Sequence, residues 1–387
     1  MNKNIYLDNS ATTRCLDEVV AAMSDALVGC YGNPSSLHSM GLEAERLLKT
    51  SRKTIAEALR VGEHEIFFTS GGTEANNWAI WGSAYQRKGR GRHVITTGIE
   101  HASVLKSFQR LAEDGFKVSF LQVDEEGIVD ERQLEDILTD ESIFISIMSV
   151  NNEIGTIQSI NKLVKIIRSK NSNALIHVDA IQCFGKIEIY PKELDVDLLS
   201  ISAHKIHGPK GIGALYIRKG VQIKPFLIGG EQEACYRAGT ENVPGIVGLG
   251  AAVAVAKNNL TANKEKLRLL KERIINGLSE IGGAHINGPL NAQQAAPHIV
   301  NMWFEGIHRG EVLLHSLEME GIYVSTGSAC HSRRDEASHV LKELGLKGEA
   351  LTGAIRVSLS HLNQEEEIDY FLLKLKRVVS ELRELAG

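Results

Sequence analysis

The chain is predicted to fold as an α/β protein, with a mainly parallel, mixed seven-stranded sheet covered by helices and a smaller α+β unit beside it. Three observations predict this. Short β-branched runs recur between helix-length segments, the residue pattern changes character from about Thr261, and 387 residues with 43% hydrophobic content are too many for one layer around one core.

The seven runs fall at residues 65–69, 93–97, 117–123, 142–150, 174–178, 195–201 and 213–217. Strands joined by helix-length crossovers pair in parallel and are covered on both faces. The last run follows a glycine turn so closely that it is expected to pair antiparallel with the sixth. The longest apolar run, from Ile246 to Ala256, reads as a buried helix, because a membrane span needs roughly 20 such residues.

A second helix is expected over 264–281, where Leu267, Leu270, Ile274, Leu278 and Ile281 form one stripe and Gly282 and Gly283 stop it. A third is expected to begin near Asn363, as a cap with Glu366 three residues on, ahead of Ile368, Phe371, Leu375 and Val378. These elements divide the chain into a large unit, 15–259, and a small unit, 1–14 with 260–387, which carries a loop at 325–335.

A formal net charge of -5, from 43 basic and 48 acidic residues, offers no general attraction for nucleic acid or an anionic membrane. The first residues run at once into a short apolar strand, not a signal peptide. Five scattered cysteines without C-x-x-C spacing suggest neither a disulfide framework nor a metal cage, so no metal is expected and a reducing cytoplasm fits.

Three segments carry chemistry. Thr69-Ser70-Gly71-Gly72-Thr73-Glu74 ends a strand and opens a helix, presenting backbone N–H groups and a helix dipole to a phosphate. It lacks the Gly-Lys-Ser/Thr of a Walker loop. Ile176-His177-Val178-Asp179 sets an acid at the carboxyl end of an apolar strand, where open α/β sheets form ligand crevices, although an Asp there can equally cap the next loop. Ser202-Ala203-His204-Lys205 follows another strand with hydroxyl, imidazole and amine; a lone lysine is usually solvated, but one whose pKa is lowered can form a Schiff base with an aldehyde cofactor. A phosphate turn, a strand-end acid and a strand-end lysine, in that order, are what pyridoxal phosphate requires.

The ordered motifs Tyr6-Leu7-Asp8-Asn9-Ser10-Ala11-Thr12-Thr13, Gly32-Asn33-Pro34-Ser35-Ser36, Glu100-His101, Asn151-Asn152-Glu153, Arg237-Ala238-Gly239-Thr240, Ser325-Thr326-Gly327-Ser328-Ala329-Cys330 and Ile355-Arg356-Val357-Ser358 then carry a specific resemblance. Together with the three segments above, they make the chain similar to the cysteine desulfurases of the class that includes NifS and IscS, within the fold-type I pyridoxal-phosphate enzymes. The resemblance covers nearly the whole chain.

It implies that Lys205 is the Schiff-base lysine, Asp179 pairs with the ring nitrogen, Gln182 bonds the ring phenolate, and His101 stacks on the ring and moves protons. Gly72, Thr73, Ser202 and His204 match the phosphate cradle, and Thr240 matches a residue that reaches the phosphate of a partner subunit, which implies a homodimer. Arg356 resembles the clamp on the substrate carboxylate, helped by Asn152 and Asn33. Cys330 resembles the nucleophile that takes sulfur from L-cysteine as a persulfide; small neighbours and the cations of His331, Arg333 and Arg334 would favour its thiolate over the ~8.5 pKa of a free thiol.

His331 stands where the family often has Thr, and the cysteine loop is of the long class. The family's sulfur acceptors are an iron-sulfur scaffold or a tRNA-thiolation enzyme; the chain stops at Gly387 without the longer tail some relatives use to dock a scaffold, so a tRNA-thiolation enzyme or another acceptor is expected to stand in its place. Selenocysteine lyase, class V aminotransferase and a non-catalytic carrier of the same fold are the alternatives, separable by rates on cysteine and selenocysteine and by cofactor absorbance.

Overall fold

The computed structural model describes residues 4–327 and 337–386. Its strands, in chain order, are β1 (Ile5–Tyr6), β2 (Ile66–Thr69), β3 (His93–Thr97), β4 (Lys117–Leu121), β5 (Ser142–Met148), β6 (Leu175–Asp179), β7 (Leu198–Ser202), β8 (Gly213–Ile217), β9 (Ala284–Asn287), β10 (Ile299–Phe304), β11 (Ile322–Tyr323) and β12 (Ile355–Ser358). A seven-stranded sheet runs in the order β2-β8-β7-β6-β5-β3-β4. All its strands are parallel to one another except β8, which pairs antiparallel with both β7 and β2. The seven expected strands are therefore present, and the expected β7–β8 hairpin pairing is found.

Alternation within each strand sends successive side chains to opposite faces. Phe68, Ile176, Val178, Leu199 and Ile201 enter one apolar core, whereas Phe67, Leu175, Leu198 and Leu215 enter another. Helices cover both, which is why the strands read as unbroken apolar runs. β7 starts three residues later than its sequence run suggests, because Asp195 takes a left-handed backbone at φ 56° and pairs with Arg168 and Arg218.

A separate three-stranded antiparallel sheet, β12-β10-β9, and the parallel pair β1–β11 share a third core in which Ile5, Leu7, Met302, Phe304 and Phe371 are buried. One helix, Val243–Leu278, links the cores: Ile246 and Leu249 are buried in the first, and Leu267, Leu270 and Ile274 in the third. The separate helix expected over 264–281 is thus the second half of one 36-residue helix. The stretch 257–263 contains neither Gly nor Pro, so the change of apolar face turns the burial from one core to the other without ending the hydrogen-bond ladder. Among the described helices this one alone has the length and composition of a membrane span; Ile246, Leu249, Val253, Leu267, Leu270, Ile274 and Leu278 on it are buried in these cores.

The last helix spans Glu365–Ala386, one residue later than an Asn363 cap would give. The Asn363 carboxamide instead accepts from Ser360 N at 2.8 Å, and Glu367, not Glu366, reaches back to Gln364 N at 3.2 Å.

Candidate active site

The carboxyl ends of β2, β3, β5, β6 and β7 lie along one edge of the large sheet, and a cavity of about 530 Å³ opens there. Each strand end delivers its own side chains. Gly72 and Thr73 follow β2, His101 follows β3, and Asn152 follows β5; Asp179 ends β6, with Gln182 after it. Ser202, His204 and Lys205 come from the end of β7, and Arg356 enters from β12 of the smaller sheet.

Lys205 closes a single 3-10 turn, Ala203–Lys205. Its Nζ donates to the carbonyl of Ala11 at 2.8 Å and to that of Ser10, the same oxygen that receives Gln182 Nε2 at 2.9 Å. Thr13 Oγ1 in turn donates to the His204 carbonyl at 2.9 Å, so the segment after β1 straps this turn to the cavity floor. Burial and the charges of Lys205 and Lys210 push the His204 imidazole down to about 4, which leaves it a neutral donor at physiological pH.

Asp179 is 5% exposed; Oδ1 accepts Ile181 N at 2.9 Å and Oδ2 accepts Asn76 Nδ2 at 2.7 Å. Burial raises its pKa, and the two hydrogen bonds and the Lys205 charge oppose that rise without cancelling it. His101 is the N-cap of helix Ala102–Glu113, where its Nδ1 accepts Ser103 N at 3.1 Å. A neutral imidazole that accepts at Nδ1 carries its proton on Nε2.

The turn after β2 opens helix Gly72–Arg87. Gly71 has φ 151°, a backbone region that favours glycine, and a Cβ on Gly72 would lie 2.2 Å from Ile181 Cδ1. Glu74 accepts Ser70 N at 2.7 Å and Arg237 Nε at 2.9 Å, which pins the turn from outside. Arg356 is 2% exposed; Nη2 donates to Asp8 Oδ1 at 2.7 Å and Nη1 to the Asn152 carbonyl at 2.9 Å, while Nε is buried without a partner.

The aminotransferase class-V family model matches residues 5–371 of the chain. The cysteine desulfurase IscS of Clostridium botulinum is 46% identical over 387 residues, covering 100% of this chain and 97% of its own length. The chain belongs to the cysteine desulfurases of the class-V aminotransferase family. A solved NifS-like protein superposes with a TM-score of 0.92 at 42% identity, covering 98% of this chain and 100% of that one. The structure of SspA in complex with cysteine gives 0.81 at 32% identity, covering 93% and 100%.

For a member of this family, the cavity's donors fit pyridoxal phosphate. A buried acid, a lysine amine, the Gln182 carboxamide, the Arg356 guanidinium and a helix N-terminus whose glycine admits no side chain all line one cavity. Cys330 lies outside the described residues, as do His331, Arg333 and Arg334. Asn33 and Thr240 are exposed and do not line the cavity of their own chain.

Sequence reasoning missed four contributors. Asp8 orients Arg356, Asn76 and Ser103 stand behind Asp179 and His101, and His339 lines the cavity with Nε2 2.9 Å from the Glu100 carbonyl. Asn76 had a signal: it lies one turn after Gly72 on the face that also carries Ala79, Ile80 and Ser83, a polar residue on a buried stripe.

Proposed function

We infer that the chain is a pyridoxal-phosphate-dependent cysteine desulfurase that takes sulfur from L-cysteine onto Cys330 as a persulfide, releases L-alanine and passes the sulfur to acceptor proteins of iron-sulfur assembly or tRNA thiolation. The observation that carries this reading is the convergence of Lys205, Asp179, His101 and Arg356 on one cavity, in a chain whose relative of known structure holds cysteine.

Bound there, pyridoxal phosphate supplies an electron-withdrawing ring that makes the α-proton of an amino acid removable. Gly72, Thr73, Ser202 and His204 hold its phosphate, Lys205 its aldehyde, Asp179 its ring nitrogen and Gln182 its phenolate oxygen. Arg356, steadied by Asp8 and assisted by Asn152, orients the substrate carboxylate. With the cofactor bound, Lys205 Nζ would take the α-proton; as the Cys330 thiolate attacks the substrate sulfur, the substrate Cβ–S bond would break with its electron pair left on the carbon skeleton, and His101 Nε2 would supply a proton to that skeleton, which leaves as alanine.

A homodimer completes the site. Leu27, Val28, Tyr31 and Leu37 are all at least 60% exposed, an apolar face suited to a second copy, and Thr240 serves the partner's phosphate site. The two-unit division at 259/260 is supported by the separate apolar cores, and the cytoplasm suits the free thiols Cys15, Cys30, Cys183 and Cys235.

The test is sulfide and alanine release from cysteine with a thiol reductant present. Cys330→Ala is expected to keep the cofactor's visible absorbance and lose persulfide formation and turnover. Full sulfide release by that variant would overturn the role of Cys330.

A further inference from the structure

We propose that Asn76 is a positioning residue for this reaction, whose one carboxamide nitrogen holds Asp179 as an anion and orients the serine that supports His101. The inference rests on the functional reading above for its consequence, and on hydrogen-bond geometry for its content.

Asn76 is fully buried in helix Gly72–Arg87. Its Nδ2 lies 2.7 Å from Asp179 Oδ2 and 2.9 Å from Ser103 Oγ. A carboxamide nitrogen has two hydrogens and no acceptor capacity, so both are consumed by these contacts. Turning the amide over would set Oδ1 against the Asp179 carboxylate, which fixes the orientation shown; Oδ1 is the atom left buried without a partner. Leaving that acceptor unpaired is a cost, and it is tolerated where both donors are used.

Two consequences follow from donor counting. Asp179 Oδ2 faces a group that can only donate, so a proton on that oxygen would meet Asn76 hydrogen to hydrogen. Ser103 Oγ accepts from Asn76, so its own hydrogen is directed at His101 Nδ1, 2.9 Å away, beside the Ser103 N–H already bonded there. The Ser103 carbonyl is itself held by Asn77 Nδ2 at 3.1 Å and Ser107 Oγ at 2.9 Å, which keeps the serine in place. One side chain that touches neither cofactor nor substrate thus biases the protonation state of the acid and steadies the imidazole. The other ionisable groups facing Asp179 are Lys205, whose charge favours the anion, and Glu100 and His101 on the segment after β3.

The test uses full-length, cofactor-free protein with 13C-labelled aspartate and 15N-labelled histidine, followed by NMR as a function of pH. In Asn76→Leu the Asp179 midpoint is expected to rise by at least about one unit, a tenfold change in proton affinity. The His101 Nδ1 resonance is expected to move with it. Ser103→Ala should move the His101 resonance and leave the Asp179 midpoint in place. Ser83→Ala, another buried polar position on the same helix, should move neither, whereas a packing role alone for Asn76 would lower thermal stability and leave both signals where they were.

If Asn76→Leu does not fold, the wild type decides: the Asn76 side-chain amide resonances must shift at the Asp179 midpoint, and their failure to do so overturns the proposal. An unchanged Asp179 midpoint in a folded Asn76→Leu protein overturns it equally. The two readings fail separately, since wild-type protein that releases no sulfide from cysteine, yet shows the Asp179 shift in the variant, refutes the functional reading and leaves the Asn76 assignment standing.

Discussion

Glu100 shows how a single buried carboxyl writes a pH dependence into the molecule. It is fully buried, accepts Thr97 Oγ1 at 3.0 Å and Met148 N at 2.8 Å through Oε1, and has no partner for Oε2. Burial raises it to about 8, with the Asp179 charge adding to the rise. A carboxyl whose folded pKa exceeds its unfolded value stabilises the fold fully below the unfolded pKa and progressively less as pH climbs through the folded one. Wild-type stability should therefore lose on the order of a few kcal/mol from this group between pH about 4.5 and 8, and Glu100→Gln should flatten the loss. Denaturant midpoints at pH 5 and pH 8 check it; parallel slopes for the two proteins would count against it. Lys205→Ala, at the same scale, should bind the cofactor noncovalently and give no turnover. Borohydride reduction and peptide mapping must place the cofactor on Lys205, not Lys210.

Among the elements, the long helix Val243–Leu278 is the one whose continuity had to be seen. Sequence periodicity located both of its apolar stripes and split them at about residue 260, because a stripe that changes face resembles two helices. Asn259, exposed at the changeover, supplies a test through its backbone N–H, which a continuous ladder needs and a loop does not. Asn259→Pro should cost about 3 kcal/mol in chemical denaturation. A loss below about 0.5 kcal/mol would mean two helices meeting at a loop. The strands of the large sheet were legible to within a few residues, since period-two burial on both faces of a sheet leaves a continuous apolar run, whereas β9, β10, β11 and β12 were not read from the sequence. Helix starts were less so: Asn363 carries the side chain of a cap but bonds Ser360 N, a choice made by the neighbouring turn.

For the whole molecule, the exposed face bearing Leu27, Val28, Tyr31 and Leu37 predicts association. Wild-type protein should sediment as a dimer, and Leu27→Asp with Val28→Asp should shift it toward monomer and lower turnover, as the proposed role of Thr240 at the second copy's site requires. A monomeric wild type with full turnover would exclude the shared site.

The sequence by itself determined the seven strands of the large sheet and the antiparallel β7–β8 pairing, the strand-end positions of Asp179 and Lys205, and the glycine turn at Gly72, because each depends on local periodicity or on a short motif at a strand end. Only the tertiary structure decided that Asp8 holds Arg356, that Asn76 bridges Asp179 to Ser103, and that one helix serves two cores. Those contacts join residues up to 348 positions apart, and a hydrogen bond across such a separation is set by how the elements pack, which no local pattern encodes.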